Sequence, residues 1–176
     1  MTYTKKLTRT AVLLTLMLAV QCFKNFSPYI TGPLINLILL IACCYIDLKS
    51  GIILSIIAPV TSYFITQSPV ITATNFMAMP VIMIGNIIYV ISVYVFLKKD
   101  NTIYLILGLW FGCVSKWAFM FLSAESVLKV IFHKNLTPLL LKQIGFMFGT
   151  LQLIAGVIGG ILFFIIYKIL KKANIK

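Results

Sequence analysis

Residues 102–122 read TIYLILGLWFGCVSKWAFMFL, an apolar stretch long enough to cross a bilayer, with Lys116 inside it. Gly108, Gly112 and Lys116 follow one another at four-residue steps, so they share one face of a helix. Small residues at this spacing let helices approach closely, which predicts that this face looks into a helical bundle. A lysine at membrane depth is costly unless it is paired, hydrated or bound to a ligand, and Lys116 therefore marks a candidate site.

The rest of the chain has the composition of a membrane protein. Of its 176 residues, 61% are hydrophobic and 10% are charged, which leaves too little polar surface for a water-soluble globule. We therefore expect one all-α membrane domain over residues 1–176, a compact bundle of six transmembrane helices. The predicted spans are residues 7–23, 33–46, 52–66, 76–97, 102–122 and 143–167, and residues 123–142 are predicted to lie at the outer interface.

Local breaks in the hydrophobic pattern set these boundaries. Asn25 and Pro28 end the first predicted span, and Thr31-Gly32-Pro33 has the chemistry of a helix start. Residues 47–51 are predicted to form a tight polar turn, and residues 67–75 an uncharged polar loop.

The net charge of +12 comes from Lys and Arg residues that gather at the ends of the apolar segments. This arrangement favours contact with lipid headgroups over nucleic acid. On a six-span chain, ten of these residues fall on one side and four on the other, and the positive-inside rule then places both termini in the cytoplasm. The ten are Lys5, Lys6, Arg9, Lys49, Lys98, Lys99, Lys168, Lys171, Lys172 and Lys176, and the four are Lys24, Lys129, Lys134 and Lys142.

Further polar and aromatic residues lie within the predicted spans. Gln152 interrupts a stripe of glycines in the sixth span, while Asn36 and Asn86 lie in the second and fourth. We predict that Lys116, Gln152, Asn86 and Asn36 bind a substrate and that Trp117 stacks on it. The structural alternatives are hydrogen bonding between helices for the three amides, the interfacial aromatic belt for Trp117, and a Lys116 that snorkels to the headgroups.

Several classes of function are disfavoured. The chain has no GxxxxGK[ST] nucleotide loop, and its acids are Asp47, Asp100 and Glu125, none of them inside a predicted span. It has no Ser/His pair arranged for catalysis, and no His lies at ligand spacing from its four cysteines. We therefore expect no enzyme activity, catalytic residue, metal or cofactor, and we interpret the chain as a binding protein.

Five features occur in an order and spacing that resembles the substrate-binding S-component of an energy-coupling factor (ECF) vitamin transporter. They are residues 5–11 (KKLTRTA), 31–36 (TGPLIN), 51–59 and 80–86, and Lys116. The resemblance covers nearly the whole chain. It implies capture of a vitamin or related micronutrient in an outward-facing pocket, and partnership with a membrane T-component scaffold and two cytoplasmic ABC ATPases.

The resemblance also implies a partner surface, because small residues on the first helix of the family meet the scaffold in an Ala-x-x-x-Ala pattern. Ala11, Thr15 and Ala19 match this pattern, with threonine in the middle position. The leading hypothesis is thus a subunit that binds a small anionic micronutrient. The alternatives are a non-transporting membrane interaction protein, and a self-sufficient channel or carrier.

Overall fold

The protein is described by a computed structural model, in which the described residues are helical apart from caps and short connections. No strand occurs among them, which confirms the all-helical class. Parts of the loop and charge predictions fall on residues outside the described ranges, namely Asn25, Asp100, Lys134 and Lys176. The structure describes residues 2–24, 27–99, 101–132 and 136–173.

Over these residues the chain forms helices joined by short turns. Two of the joints are π-helical turns that keep the helix continuous, so that α6 runs on into α7 and α8 into α9. The turns are Ala124–Leu128 and Phe146–Thr150. The helices are α1 (Tyr3–Cys22), α2 (Pro28–Tyr45), α3 (Leu48–Thr66), α4 (Pro69–Ala73), α5 (Ala78–Leu97), α6 (Thr102–Ser123), α7 (Lys129–Ile131), α8 (Pro138–Gly145) and α9 (Leu151–Lys172).

Five stretches of the described chain are long and apolar enough to cross a membrane, and the protein is therefore a multi-pass membrane protein. α1 is also 20 residues long, but Lys5, Lys6 and Arg9 in its first two turns exclude it from this group. The five stretches are Pro28–Tyr45, Leu48–Thr66, Ala78–Leu97, Thr102–Ile131 and Pro138–Lys172.

The helix start predicted at Thr31-Gly32-Pro33 was wrong, because α2 already begins at Pro28. Proline suits the first helical turn, where its missing N–H is not needed. The Thr31 hydroxyl donates a hydrogen bond to the Ser27 carbonyl (3.2 Å), as expected for a residue one turn into the helix. Pro33 consequently lies inside the helix.

The polar turn predicted at residues 47–51 was also wrong. The Asp47 carboxylate caps α3 by accepting a hydrogen bond from the Ser50 N–H (2.8 Å), so the helix begins at Leu48. The loop predicted at residues 67–75 contains the short helix α4. The first error comes from reading Asp47 as part of a loop where it serves as a helix cap.

The outer segment predicted at residues 123–142 is divided between two long helices. Its first part continues α6 to Ile131, and its last part begins α8 at Pro138, where the Thr137 hydroxyl accepts a hydrogen bond from the Leu140 N–H (3.4 Å). Glu125 and Lys129 form an ion pair at helical spacing on the continuation of α6.

The long helices pack in a closed ring, in which α2 contacts α3, α3 contacts α5, α5 contacts α6, α6 contacts α9, and α9 returns to α2. Glycines permit this close approach: a Cβ at Gly112 of α6 would lie 3.0 Å from the Tyr89 ring of α5, and one at Gly156 of α9 only 2.6 Å from Cys113 Sγ of α6. The face that carries Gly108, Gly112 and Lys116 therefore packs inside the ring.

α1 lies outside the ring against α2 and α3, and polar contacts tie it to α3 near both ends. At its start, Lys6 Nζ donates to the Asp47 carboxylate (2.9 Å). In its last turn, Gln21 Nε2 donates to the Ala58 carbonyl (2.9 Å), and just beyond its end Lys24 Nζ donates to Ser62 Oγ (2.5 Å). α1 therefore runs alongside most of the length of α3.

The contact at the start of α1 leads to a prediction about acid stability. Partial burial opposes ionisation of Asp47, but hydrogen bonds from Lys6 and Ser50 outweigh it and lower the pKa of Asp47 to about 2. The ordinary pKa is about 3.9, so the stabilisation is complete above pH ~4 and is lost as the pH falls toward 2. Asp47→Ala should cost about 0.5–2 kcal/mol at neutral pH, measured by thermal unfolding in detergent.

Asp47→Asn keeps an acceptor for the cap and loses only the charge, so its thermal stability should fall between those of wild type and Asp47→Ala. Other acids titrate in every variant. The difference in acid dependence of stability between wild type and Asp47→Ala therefore gives the contribution of the Asp47 carboxylate. An identical acid dependence in both proteins would contradict the assignment.

Candidate functional site

A cavity of about 100 Å³ lies at the end of the ring where α1, α3 and α6 finish. This is the end opposite the Lys6–Asp47 contact. Five ring helices contribute to its wall, together with α4 and the connection between α1 and α2. Its polar lining residues are Lys24, Thr31, Asn36, Ser62, Asn86, Lys116 and Gln152.

Lys116 is buried inside the ring, with 2% of its surface exposed. Its ammonium donates a hydrogen bond to Asn36 Oδ1 of α2 (2.7 Å) and lies 5.6 Å from the centroid of the Tyr89 ring of α5, within range of a cation–π interaction. Both partners are uncharged. The positive charge of Lys116 is thus stabilised by a hydrogen bond and a cation–π contact, but no described residue neutralises it.

Glycines and one tyrosine position this lysine and its partner. A Cβ at Gly85 of α5 would lie 3.7 Å from Lys116 Cγ, and a Cβ at Gly159 of α9 would lie 2.8 Å from Asn36 Cβ. The Tyr89 hydroxyl donates to the Gly156 carbonyl (3.1 Å), which fixes the ring beside the ammonium. Four helices therefore determine the geometry of one charged group.

Asn86 and Gln152 line the same cavity from α5 and α9. Asn86 is only 4% exposed, and its side-chain amide makes no hydrogen bond to the described part of the chain. Gln152 is half-buried, and its amide likewise has no partner among the described residues. Both amides therefore keep hydrogen-bonding capacity that a ligand in the cavity can use.

Lys24 is a lining residue that the sequence analysis missed. It was counted among the loop cations, but the structure turns it toward α3, where it donates to Ser62 Oγ. Burial lowers the pKa of Lys24. Thr31 and Ser62 were also missed, although both lie in helices near the predicted outer side. Helical periodicity cannot show that Ser62 contacts Lys24, because Lys24 lies in a connection between helices.

Trp117 is not among the lining residues of the cavity. Its ring stacks on Phe121, with 5.8 Å between centroids and an interplanar angle of 17°. Ala11, Thr15 and Ala19 lie together on the exposed face of α1. The Thr15 hydroxyl donates to the Ala11 carbonyl (3.0 Å), so this face presents no unsatisfied hydroxyl.

The charges of the cavity are not balanced by nearby acids. The two carboxylates in the described chain, Asp47 and Glu125, form ion pairs with Lys6 and Lys129. The described residues also contain no group of His, Cys, Asp and Glu side chains that could hold a metal ion. The arrangement can bind an anion through charge-assisted hydrogen bonds.

Neither the curated proteins nor the solved structures that were compared contain a match to this chain. The family model described as "ECF transporter, substrate-specific component" matches residues 5–174, nearly the whole length. The chain therefore belongs to the family of substrate-binding S-components of ECF transporters.

Proposed function

We propose that the protein captures a small anionic micronutrient from outside a bacterial cell for ECF-type ABC import. The observation that carries this proposal is the buried Lys116 ammonium, which lines a cavity beside amides that lack partners. An ammonium removed from water needs compensation, and an anionic ligand supplies it. We assign Lys116 as the charge partner, and Asn36, Asn86 and Gln152 as hydrogen-bonding residues.

The lysine retains the capacity to bind such a ligand. An ammonium has three donors, and the bond to Asn36 Oδ1 uses one of them. A carboxylate or phosphate that enters the cavity can accept the others without displacing Asn36. Because the Lys116 ammonium is buried, this contact is stronger than the same contact in solution. We do not extend the role to Trp117, whose ring packs on Phe121.

We further propose six spans with both termini in the cytoplasm, so that the cavity faces outward. α1 would be the sixth span, since its 20 residues extend about 30 Å and it runs alongside α3. Most of the described Lys and Arg residues lie at the end that carries Lys6, while Lys24, Lys129 and Lys142 lie at the other end. This asymmetry supports the orientation by the positive-inside rule.

We propose that energy comes from partners, a membrane T-component and two ABC ATPases, because the chain has no GxxxxGK[ST] nucleotide loop. S-components associate with such modules. The exposed small face of α1, formed by Ala11, Thr15 and Ala19, is the surface that we assign to the T-component. Small side chains there allow a partner helix to approach closely.

The experiment that tests this function is coexpression with a T-component and two ATPases. Wild-type protein should copurify with all three, whereas Ala11→Leu/Ala19→Leu should lose most of the association, because the larger side chains hold a partner helix away. The double variant should still bind ligand, since neither residue lines the cavity. The measurement is the ratio of ATPase to S-component after affinity purification.

Val114→Phe is the matched control, since it enlarges an exposed side chain on α6, away from α1. It should copurify like wild type. Association that is absent in wild type, or undiminished in the double variant, would count against the proposal.

A further inference from the structure

We infer that the ligand carries two anionic groups, one bound at Lys116 and the other at Lys24. This inference rests on the proposed function and deepens it, because that function requires only one anionic group. The ligand class is a small molecule with two anionic groups, such as a dicarboxylate or a molecule with one carboxylate and one phosphate.

The two cations come from separate parts of the fold and line the same cavity. Lys116 projects from α6 and donates to Asn36 Oδ1 (2.7 Å). Lys24 follows the end of α1 and donates to Ser62 Oγ (2.5 Å). Each ammonium thus has one uncharged partner that leaves it further donors, so a ligand can contact both without breaking either bond.

No carboxylate of the described chain balances this pair. Asp47 and Glu125 are already paired with Lys6 and Lys129, and neither lines the cavity. Two like charges that line one cavity repel each other. A ligand with one anionic group would leave one ammonium unbalanced, whereas a dianion balances both.

The middle of the ligand also has partners available. Asn86 is only 4% exposed, and it lines the cavity with no hydrogen bond to the described residues. Gln152 and Thr31 add an amide and a hydroxyl to the same wall. These neutral groups suit the polar atoms between two terminal anions, while the cavity volume of about 100 Å³ favours a small molecule.

The test measures binding of matched probes to the purified full chain in lipid nanodiscs. The probes are succinate, glutarate and adipate, and the monoamide of each, which replaces one carboxylate by an uncharged group of nearly equal size. We expect at least one dicarboxylate to bind about tenfold or more tightly than its monoamide. Lys24→Gln should lower the affinity for that dicarboxylate to the level of the monoamide and leave the affinity for the monoamide unchanged. Lys116→Gln should lower the affinity for both.

Lys49→Gln is the matched control, because it removes one exposed positive charge from the start of α3, far from the cavity. Unchanged binding of the monoamide shows that Lys24→Gln is folded. Equal binding of dicarboxylate and monoamide, no probe binding, or no effect of Lys24→Gln would overturn the inference. If only Lys116→Gln loses probe binding, the proposed function would still hold, with a ligand that carries one anionic group.

Discussion

Lys116→Met is expected to abolish retention of the ligand while the protein remains folded. Methionine keeps most of the apolar stem but removes the ammonium, so an anionic group would enter the cavity without its main charge partner. Removing one member of a buried, hydrogen-bonded charge pair costs about 2–5 kcal/mol, or roughly 30- to 4,000-fold in Kd. The measurement is native mass spectrometry of gently purified protein, which detects a retained small molecule.

The same substitution leaves Asn36 Oδ1 without its donor, which costs about 1–3 kcal/mol, but it also removes a buried charge. These effects oppose each other, and we expect little change in the thermal midpoint. Lys49→Met is the control, since it alters an exposed lysine at the far end of α3. Ligand retention at the wild-type level by Lys116→Met, or no retained molecule in wild type, would count against the proposed function.

Gly159→Ala is expected to destabilise the bundle and to weaken ligand binding together. The new Cβ would lie 2.8 Å from both Asn36 Cβ and the Pro33 carbonyl oxygen, and the latter is backbone that cannot rotate away. α9 must therefore move away from α2, at a cost of about 1–3 kcal/mol or more. Because Asn36 holds the Lys116 ammonium, the same movement disturbs the site. Thermal unfolding and native mass spectrometry measure the two effects.

Gly145→Ala provides the matched control. A Cβ there would have only Lys129 Nζ nearby, at 3.7 Å, which is the far end of a flexible side chain. Both substitutions gain the same helix propensity, about 1 kcal/mol, so the difference between them isolates the steric clash. Equal stability of the two variants would show that α2 and α9 can separate without cost.

The helical class and the inward face of α6 were accessible from sequence because they depend on local periodicity. Gly108, Gly112 and Lys116 share a face by spacing alone, but the identity of the facing group does not follow from spacing. Asn36 accepts a hydrogen bond from Lys116, 80 residues away in sequence, and its position depends on the packing of α2 against α9, which Gly159 permits. Such pairings require the tertiary structure.

Other errors have physical causes that are local but ambiguous. Pro28 and Pro33 can each start a helix, and only the contacts of the first turn decide between them. The two π-helical turns each insert a residue into the 3.6-residue repeat, so the apolar pattern appears broken where the helix in fact continues. Lys24 lies in a connection, where no period applies, and its position could not be predicted.

α1 has a thermodynamic consequence for assembly. Its exposed small face is the surface assigned to the T-component, while Lys24, just beyond its end, lines the cavity. If docking of a partner on this helix alters the Lys24–Ser62 contact, it must change ligand affinity by some factor, and the ligand must then change partner affinity by the same factor. Ligand binding and association with the T-component would in that way be thermodynamically coupled through a single helix.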